Sequence, residues 1–136
     1  MISALLLSWP QGAGFYSQLH QQAVELLPRG NGETWLDVGS GPGLVSRLAA
    51  QRGYQVTGLD PDAASIQAAR LLTGIQGLPI AFRVGERKPL PPASAEVVSA
   101  GSLLAVLPDW EEGLKSLWKA VHPGGSLLAI EPTEKK

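Results

Sequence analysis

A short apolar run, Thr34-Trp35-Leu36-Asp37-Val38, leads into Gly39-Ser40-Gly41-Pro42-Gly43 and then into a helically spaced stretch, Leu44, Val45, Leu48 and Ala49. A strand that is apolar on both faces suits the centre of a parallel sheet covered by helices. Glycines at that density let the chain turn sharply where the strand ends. Pro42 falls near the expected first position of the helix, and Gly53 closes it. The rest of the chain must supply neighbours for that strand.

The same unit recurs downstream. Gln55 to Leu59 reads as a second strand ending at Asp60, and a helix is expected from about Asp62 to Leu72 before Gly74 and Gly77 break the pattern. Ile80 to Val84 reads as a third strand, followed by Gly85-Glu86 and a proline-punctuated loop, Lys88 to Ala95. A fourth strand, Glu96 to Ala100, runs into Gly101-Ser102. Asp109 with Glu112 three residues on forms a capping-box signal for a helix whose expected buried face is Leu114, Leu117, Trp118 and Val121. His122-Pro123-Gly124-Gly125 stops that helix before a fifth strand, Ser126 to Glu131. Upstream, Leu19, Ala23, Leu26 and Leu27 predict an amphipathic helix ended by Pro28-Arg29-Gly30. Strands alternating with helices imply a parallel sheet with right-handed crossovers, a Rossmann-like doubly wound α/β fold. In such sheets ligands sit beyond the carboxyl ends of the strands, where the strand order reverses.

At 136 residues the chain is expected to form one domain, 1–136. Residues 1–14 are left open as a loose N-terminal segment, a buried piece or a partner surface. A net charge of -1 gives no reason to expect nucleic acid or an anionic membrane as partner. The absence of cysteine excludes disulfides, thiolate metal sites and a cysteine nucleophile, and no metal site is expected. Ile2 to Trp9 is apolar but lacks a basic flank and is too short to span a bilayer, so the expected location is the cytoplasm.

Glycines at a strand end can serve the bend alone, but here a helix follows and an acidic residue, Asp60, ends the next strand. A dinucleotide fingerprint spaces its glycines G-x-G-x-x-G, whereas Leu44 stands where the third would fall. Pro42 removes an amide from the expected helix start, which weakens a phosphate site, and there is no G-K-[ST]. Asp37 would repel a pyrophosphate yet suits a ligand carrying an ammonium and a sulfonium, as S-adenosylmethionine does. Asp60 is placed to accept both ribose hydroxyls, its competing role being to cap the following helix.

These residues resemble the class I S-adenosylmethionine-dependent methyltransferases, from about Trp35 to Pro132. Leu36 to Gly43 resembles the cofactor motif, Gly58-Leu59-Asp60 the ribose-binding acid, and Gly85-Glu86 the adenine-contacting segment. Leu107-Pro108-Asp109 and His122 to Leu128 resemble the later markers. The resemblance implies about five parallel strands in the order 3-2-1-4-5 with helices on both faces. It implies that Asp37, Gly39 and Gly41 lie against the methionine part of the cofactor, with Asp37 near its ammonium, and that Ser40 and Gly43 belong to the same cofactor site. Asp60 would hold the ribose, Pro61 and Asp62 would flank the adenine, and in the segment Gly85-Glu86 it is Glu86, where the family usually has Asp, that would contact the adenine amino group. Gly101 and Ser102 would floor the methyl-transfer site.

Two departures bear on mechanism. Leu104-Ala105-Val106 occupies the place where many small-molecule members carry a histidine pair, and the Asn-Pro-Pro-Tyr signature of amino-group methylation is absent. No catalytic residue is assigned; in-line methyl transfer to a small molecule can run largely on proximity and alignment. His122 is expected at a solvated helix end and His20 on the surface, while Phe15 and Tyr16 are divided between core packing and a lid. All four tryptophans are read as packing residues. The family usually continues past the fifth strand with a helix and two more strands, which are missing here. The expectation is therefore an open fifth-strand edge, covered by a second copy or a partner chain. Two other readings remain open: a non-catalytic cofactor-binding subunit or truncated remnant, and a nicotinamide-dependent oxidoreductase.

Overall fold

The computed structural model describes residues 3–10, 16–85, 91–101 and 109–133. Its elements run β1 (Ser3–Pro10), α1 (Tyr16–Glu25), β2 (Thr34–Val38), α2 (Leu44–Gln51), β3 (Gln55–Asp60), α3 (Ala63–Gln76), β4 (Ile80–Val84), β5 (Ala95–Gly101), α4 (Trp110–Ala120) and β6 (Val121–Thr133). The strands form one six-stranded sheet in the order β1-β6-β5-β2-β3-β4, parallel at each pairing. β4, β3, β2, β5 and β6 are the five expected strands in the expected order 3-2-1-4-5.

The sixth strand corrects one expectation. β1 pairs in parallel with β6 from Ser3↔Ser126 to Pro10↔Thr133, so the edge of the fifth expected strand is filled by this chain's own residues. That edge needs no second copy or partner to satisfy its backbone groups. Residues 3–10 are thus built into the sheet.

Alternation along the strands separates two cores. Trp35, Val56, Val97, Leu128 and Ile130 pack on one face against Ala23 and Val24 of α1, Leu27 just beyond it, and Val45 and Ala49 of α2. Leu36, Val38, Val98 and Leu127 pack on the other against Leu117 and Ala120 of α4. α3 joins the first face, where Ile66 and Ala69 meet Phe82 of β4. A carbon added at Gly58 would fall 2.6 Å from the Phe82 ring, and one at Gly43 2.9 Å from it. Phe82 therefore packs against the backbone of both the glycine turn and β3, which only residues without a side chain permit.

Several local expectations shift. The buried stripe of α1 is His20, Ala23 and Val24, continued past the helix end by Leu27, while Leu26 is 60% exposed. His20 belongs inside because it lies three and four residues before Ala23 and Val24, on the helix's sheet-facing side. It is 2% exposed, not a surface residue. α3 runs through Gly74 and stops at Gly77, whose left-handed φ of 68° lets its amide reach back to the last carbonyls. In α4 the Asp109 carboxylate accepts from the Glu112 amide as expected of a cap, but Trp118 is 39% exposed. Val121 is buried as the first residue of β6 rather than the last of a helix.

Candidate functional site

The glycine turn is tied to its neighbours by its own amides. Gly39 N–H and Ser40 N–H both donate to Leu59 O at 2.8 Å, Gly41 N–H donates to Asp60 Oδ2 at 2.8 Å, and Gly43 N–H donates to Ser40 O at 3.0 Å. Gly39, Gly41 and Gly43 all take positive φ, 73°, 54° and 92°, which explains their spacing better than any ligand alone. Gly43, not Pro42, is the N-cap of α2. Pro42 thus lies before the helix and removes none of its amides, a correction to the sequence argument against phosphate.

A phosphate site is nevertheless disfavoured, by the hydrogen bonds of the turn itself. The turn amides that could cradle a phosphate are already donated to protein oxygens. The start of α2 faces the protein's own carboxylate: Ser46 Oγ donates to Asp37 Oδ2 at 2.7 Å, and the Ser46 amide also favours the charge. On the other side Ser99 Oγ of β5 donates to Asp37 Oδ1 at 2.9 Å and accepts from Trp35 Nε1 at 2.8 Å. Asp37 is 2% exposed. It lies beneath the turn with both oxygens occupied, so any influence on a ligand acts through its charge.

Burial pushes the Asp37 carboxyl up to about 6, with the two serine hydroxyls holding it down and the Asp60 charge raising it further. A folded value above the ordinary 3.8 means that the neutral form is the one folding favours. The associated stability is complete below about pH 4 and lost by about pH 7, roughly 3 kcal/mol in all. Urea unfolding across that range should show wild type losing this margin relative to Asp37→Asn as pH rises. A difference that stays flat would mean that the buried carboxylate is not perturbed.

Asp60 differs from Asp37 in what it leaves open. Oδ2 accepts from Gly41 N–H and Oδ1 from Asp62 N–H, each at 2.8 Å, and the carboxylate is only partly buried. Each oxygen keeps a further lone pair, enough to accept two vicinal hydroxyls. The helix-capping role weighed against ligand binding falls instead to Asp62, which accepts from Ala64 N–H and Ser65 Oγ. Gly85 N–H donates to Asp60 O at 3.0 Å, bringing the end of β4 to the same place. Among the described residues, carbons added at Gly41, Gly85 and Gly101 would meet nothing within 4 Å, so these strand and turn ends present bare backbone. Pro61 is exposed beside them. Glu86, Ser102, Leu104-Ala105-Val106, Leu107-Pro108 and Phe15 lie outside the described residues.

Residues 36–129 match the family described as "Methyltransferase domain". The chain belongs to that family. It is 38% identical over 100 residues to the ubiquinone biosynthesis O-methyltransferase of Idiomarina loihiensis, covering 71% of this chain and 41% of the relative. With the protein of the same name from Paramagnetospirillum magneticum it shares 37% over 98 residues, 71% of this chain and 39% of the relative. The chain thus spans about two-fifths of the length of these curated relatives. The solved S-adenosylmethionine-dependent methyltransferase of Mesorhizobium loti aligns at a TM-score of 0.67 with 25% identity, over 84% of this chain and 51% of its own. The [4+2]-cyclase SpnF aligns at 0.74 with 20% identity, over 93% and 51%. That second likeness shows the fold alone, and the same fold there bears a different reaction name.

The chain is a class I methyltransferase-family domain, and S-adenosylmethionine is the cofactor of that family. Sequence reading missed the serines. Ser46 is separated from Asp37 by the whole turn and Ser99 lies two elements further on, so only the fold brings them to one carboxylate. Ser40 is a different case: it is buried, and its Oγ has no hydrogen-bond partner among the described residues. His122 stands at the N-terminal end of β6, with Nδ1 3.8 Å from Glu96 Oε1, at the opposite end of the sheet from the turn. No cluster of three metal-ligating side chains occurs among the described residues, and no helix there is long and apolar enough to cross a membrane.

Proposed function

We propose that this chain binds S-adenosylmethionine at the carboxyl ends of β2, β3 and β4 and serves methyl transfer to a hydroxyl of a small molecule. The observation that carries the reading is the division of labour between the carboxylates. Asp60 offers free lone pairs where a ribose diol can approach, and Asp37 supplies buried negative charge beneath a turn whose amides are spent. That combination suits an adenosine ligand with positive charge and no phosphate. When bound, S-adenosylmethionine supplies a methyl group on a sulfonium. The chain's part is to orient it through Asp60 and the bare backbone at Gly41, Gly85 and Gly101. The names of the curated relatives support oxygen as the acceptor atom.

Isothermal titration of S-adenosylmethionine and of NAD into the purified chain tests the cofactor. Binding is expected for the first in the micromolar range, roughly -8 kcal/mol, and none for the second. Preference for NAD would overturn the assignment. Transfer of labelled methyl to a panel of phenols and catechols then separates an enzyme from a module that only holds the cofactor.

A further inference from the structure

The Phe82 ring of β4, 4% exposed, closes on two stretches of backbone that carry the site. Its Cζ lies 2.9 Å from where a side-chain carbon on Gly43 would stand, and its Cδ1 and Cε1 lie 2.6 and 2.7 Å from the same position at Gly58. Gly43 ends the glycine turn and caps α2, and Gly58 stands two residues before Asp60 on β3. Ser40 Cβ of the turn is 3.1 Å from that Gly58 position, so the turn and β3 approach each other beside the ring. Phe82 is itself held in place from α3 and from β3. Ile66 and Ala69 pack against it, Arg70 Nη2 donates to Phe82 O at 2.6 Å, and the strand register sets Phe82 opposite Gly58. A flat ring fixed between two backbones acts as a spacer, because a close-packed interior passes a change of shape on to its neighbours.

We infer that Phe82 is a positioning residue for the site: its ring sets the separation of the glycine turn from β3, and with it the Gly41 N–H to Asp60 Oδ2 bond that aims the Asp60 carboxylate. The inference rests on the cofactor reading above and adds to it a side chain that acts through others. Gly41 lies two residues before Gly43, and Asp60 two residues after Gly58. Each end of their 2.8 Å bond is therefore carried by a segment that leans on the ring. Asp60 Oδ1 is held separately by Asp62 N–H, so a change of spacing turns the carboxylate without freeing it. A branched aliphatic side chain does not fill a slot shaped to a flat ring. Replacing the ring lets the turn settle toward β3 and turns the Asp60 lone pairs away from a ribose diol, and a sub-ångström displacement at such a contact costs about tenfold in affinity.

The test compares Phe82→Leu with Ile80→Ala, which truncates a side chain on the same face of β4 at the strand end away from the turn. Both variants should unfold at lower urea than wild type. Calorimetry well below either unfolding transition, with S-adenosylmethionine and with S-adenosylhomocysteine, then separates positioning from stability. Phe82→Leu is expected to bind each ligand about tenfold more weakly, since both carry the ribose, and Ile80→Ala to bind each within about twofold of wild type. Undiminished binding by Phe82→Leu, or the same loss in both variants, overturns the inference. In the unliganded chain the Gly41 amide signal in the NMR spectrum should move in Phe82→Leu and stay in place in Ile80→Ala, a contrast that a merely structural Phe82 would not produce. An unmoved Gly41 signal overturns the inference as well. Failure of wild type to bind either ligand overturns the cofactor reading, while the Gly41 signal still decides whether Phe82 sets the turn. Should Phe82→Leu not fold, Phe82→Met keeps most of the volume without the flat ring and is expected to lose about fivefold in affinity; binding within about twofold of wild type then overturns the inference.

Discussion

Asp60→Ala is expected to weaken S-adenosylmethionine binding by about a hundredfold or more, read by calorimetry on the folded variant. Two charge-assisted hydrogen bonds to a ribose diol, at about 1.5 kcal/mol each, already amount to two decades. A further loss comes from the protein, because Asp60 Oδ2 is the acceptor of Gly41 N–H and Oδ1 that of Asp62 N–H. Without them the left-handed turn at Gly41 loses its tie to β3, and the start of α3 loses the contact that sets Asp62 as its cap. Asp60→Asn separates the two contributions, since its carbonyl oxygen can still accept from Gly41 while its amide cannot accept from a hydroxyl. The product S-adenosylhomocysteine carries the same ribose and should lose as much affinity as S-adenosylmethionine. Undiminished binding by Asp60→Ala would remove the ribose assignment. Asp60 is open to a ligand where Asp37 is sealed, with both Asp37 oxygens held by the Ser46 and Ser99 hydroxyls.

That contrast also marks where sequence reading reached its limit. β2, β3 and β4 stand as read, because each is a short apolar run ending at a glycine or an aspartate. The turn was recognised and its ligand narrowed, although Pro42 was given a role in the helix that Gly43 holds. β1 was not legible: Ala4-Leu5-Leu6-Leu7 is a continuous apolar run, and such runs have no periodicity to separate a strand buried by its neighbours from a loose segment. The core-facing side of α1 was read correctly at Leu19, Ala23 and Leu27, but His20, which shares that side, was placed outside, and Leu26, which lies past the helix end at Glu25, was placed inside. Asp37 was identified as a carboxylate near a cation, but the two serines that enclose it are local in space only. Hydroxyl pairs of that kind leave no periodic trace in a sequence.

Trp35→Ala should lower the unfolding free energy by about 3–5 kcal/mol, the range for truncating a fully buried aromatic ring. Trp35 is 0% exposed in the centre of β2, and its ring meets Tyr54 edge-on at a centroid distance of 5.0 Å. It also packs in the cluster that joins α1 and α2 to the sheet, so its removal opens a void between three elements. Reading it as a packing residue accounts for most of this effect, but not for its indole N–H, which donates to Ser99 Oγ. Trp35→Phe separates the two roles. The ring burial is largely kept, one hydrogen bond of about 1 kcal/mol is lost, and no buried donor is stranded because Ser99 continues to donate to Asp37. Urea unfolding of both variants tests this, and equal destabilisation by Ala and Phe would refute the packing assignment. Stability at this centre comes mainly from the ring, while its indole N–H reaches the same Ser99 hydroxyl that holds Asp37, two residues on along the same strand face.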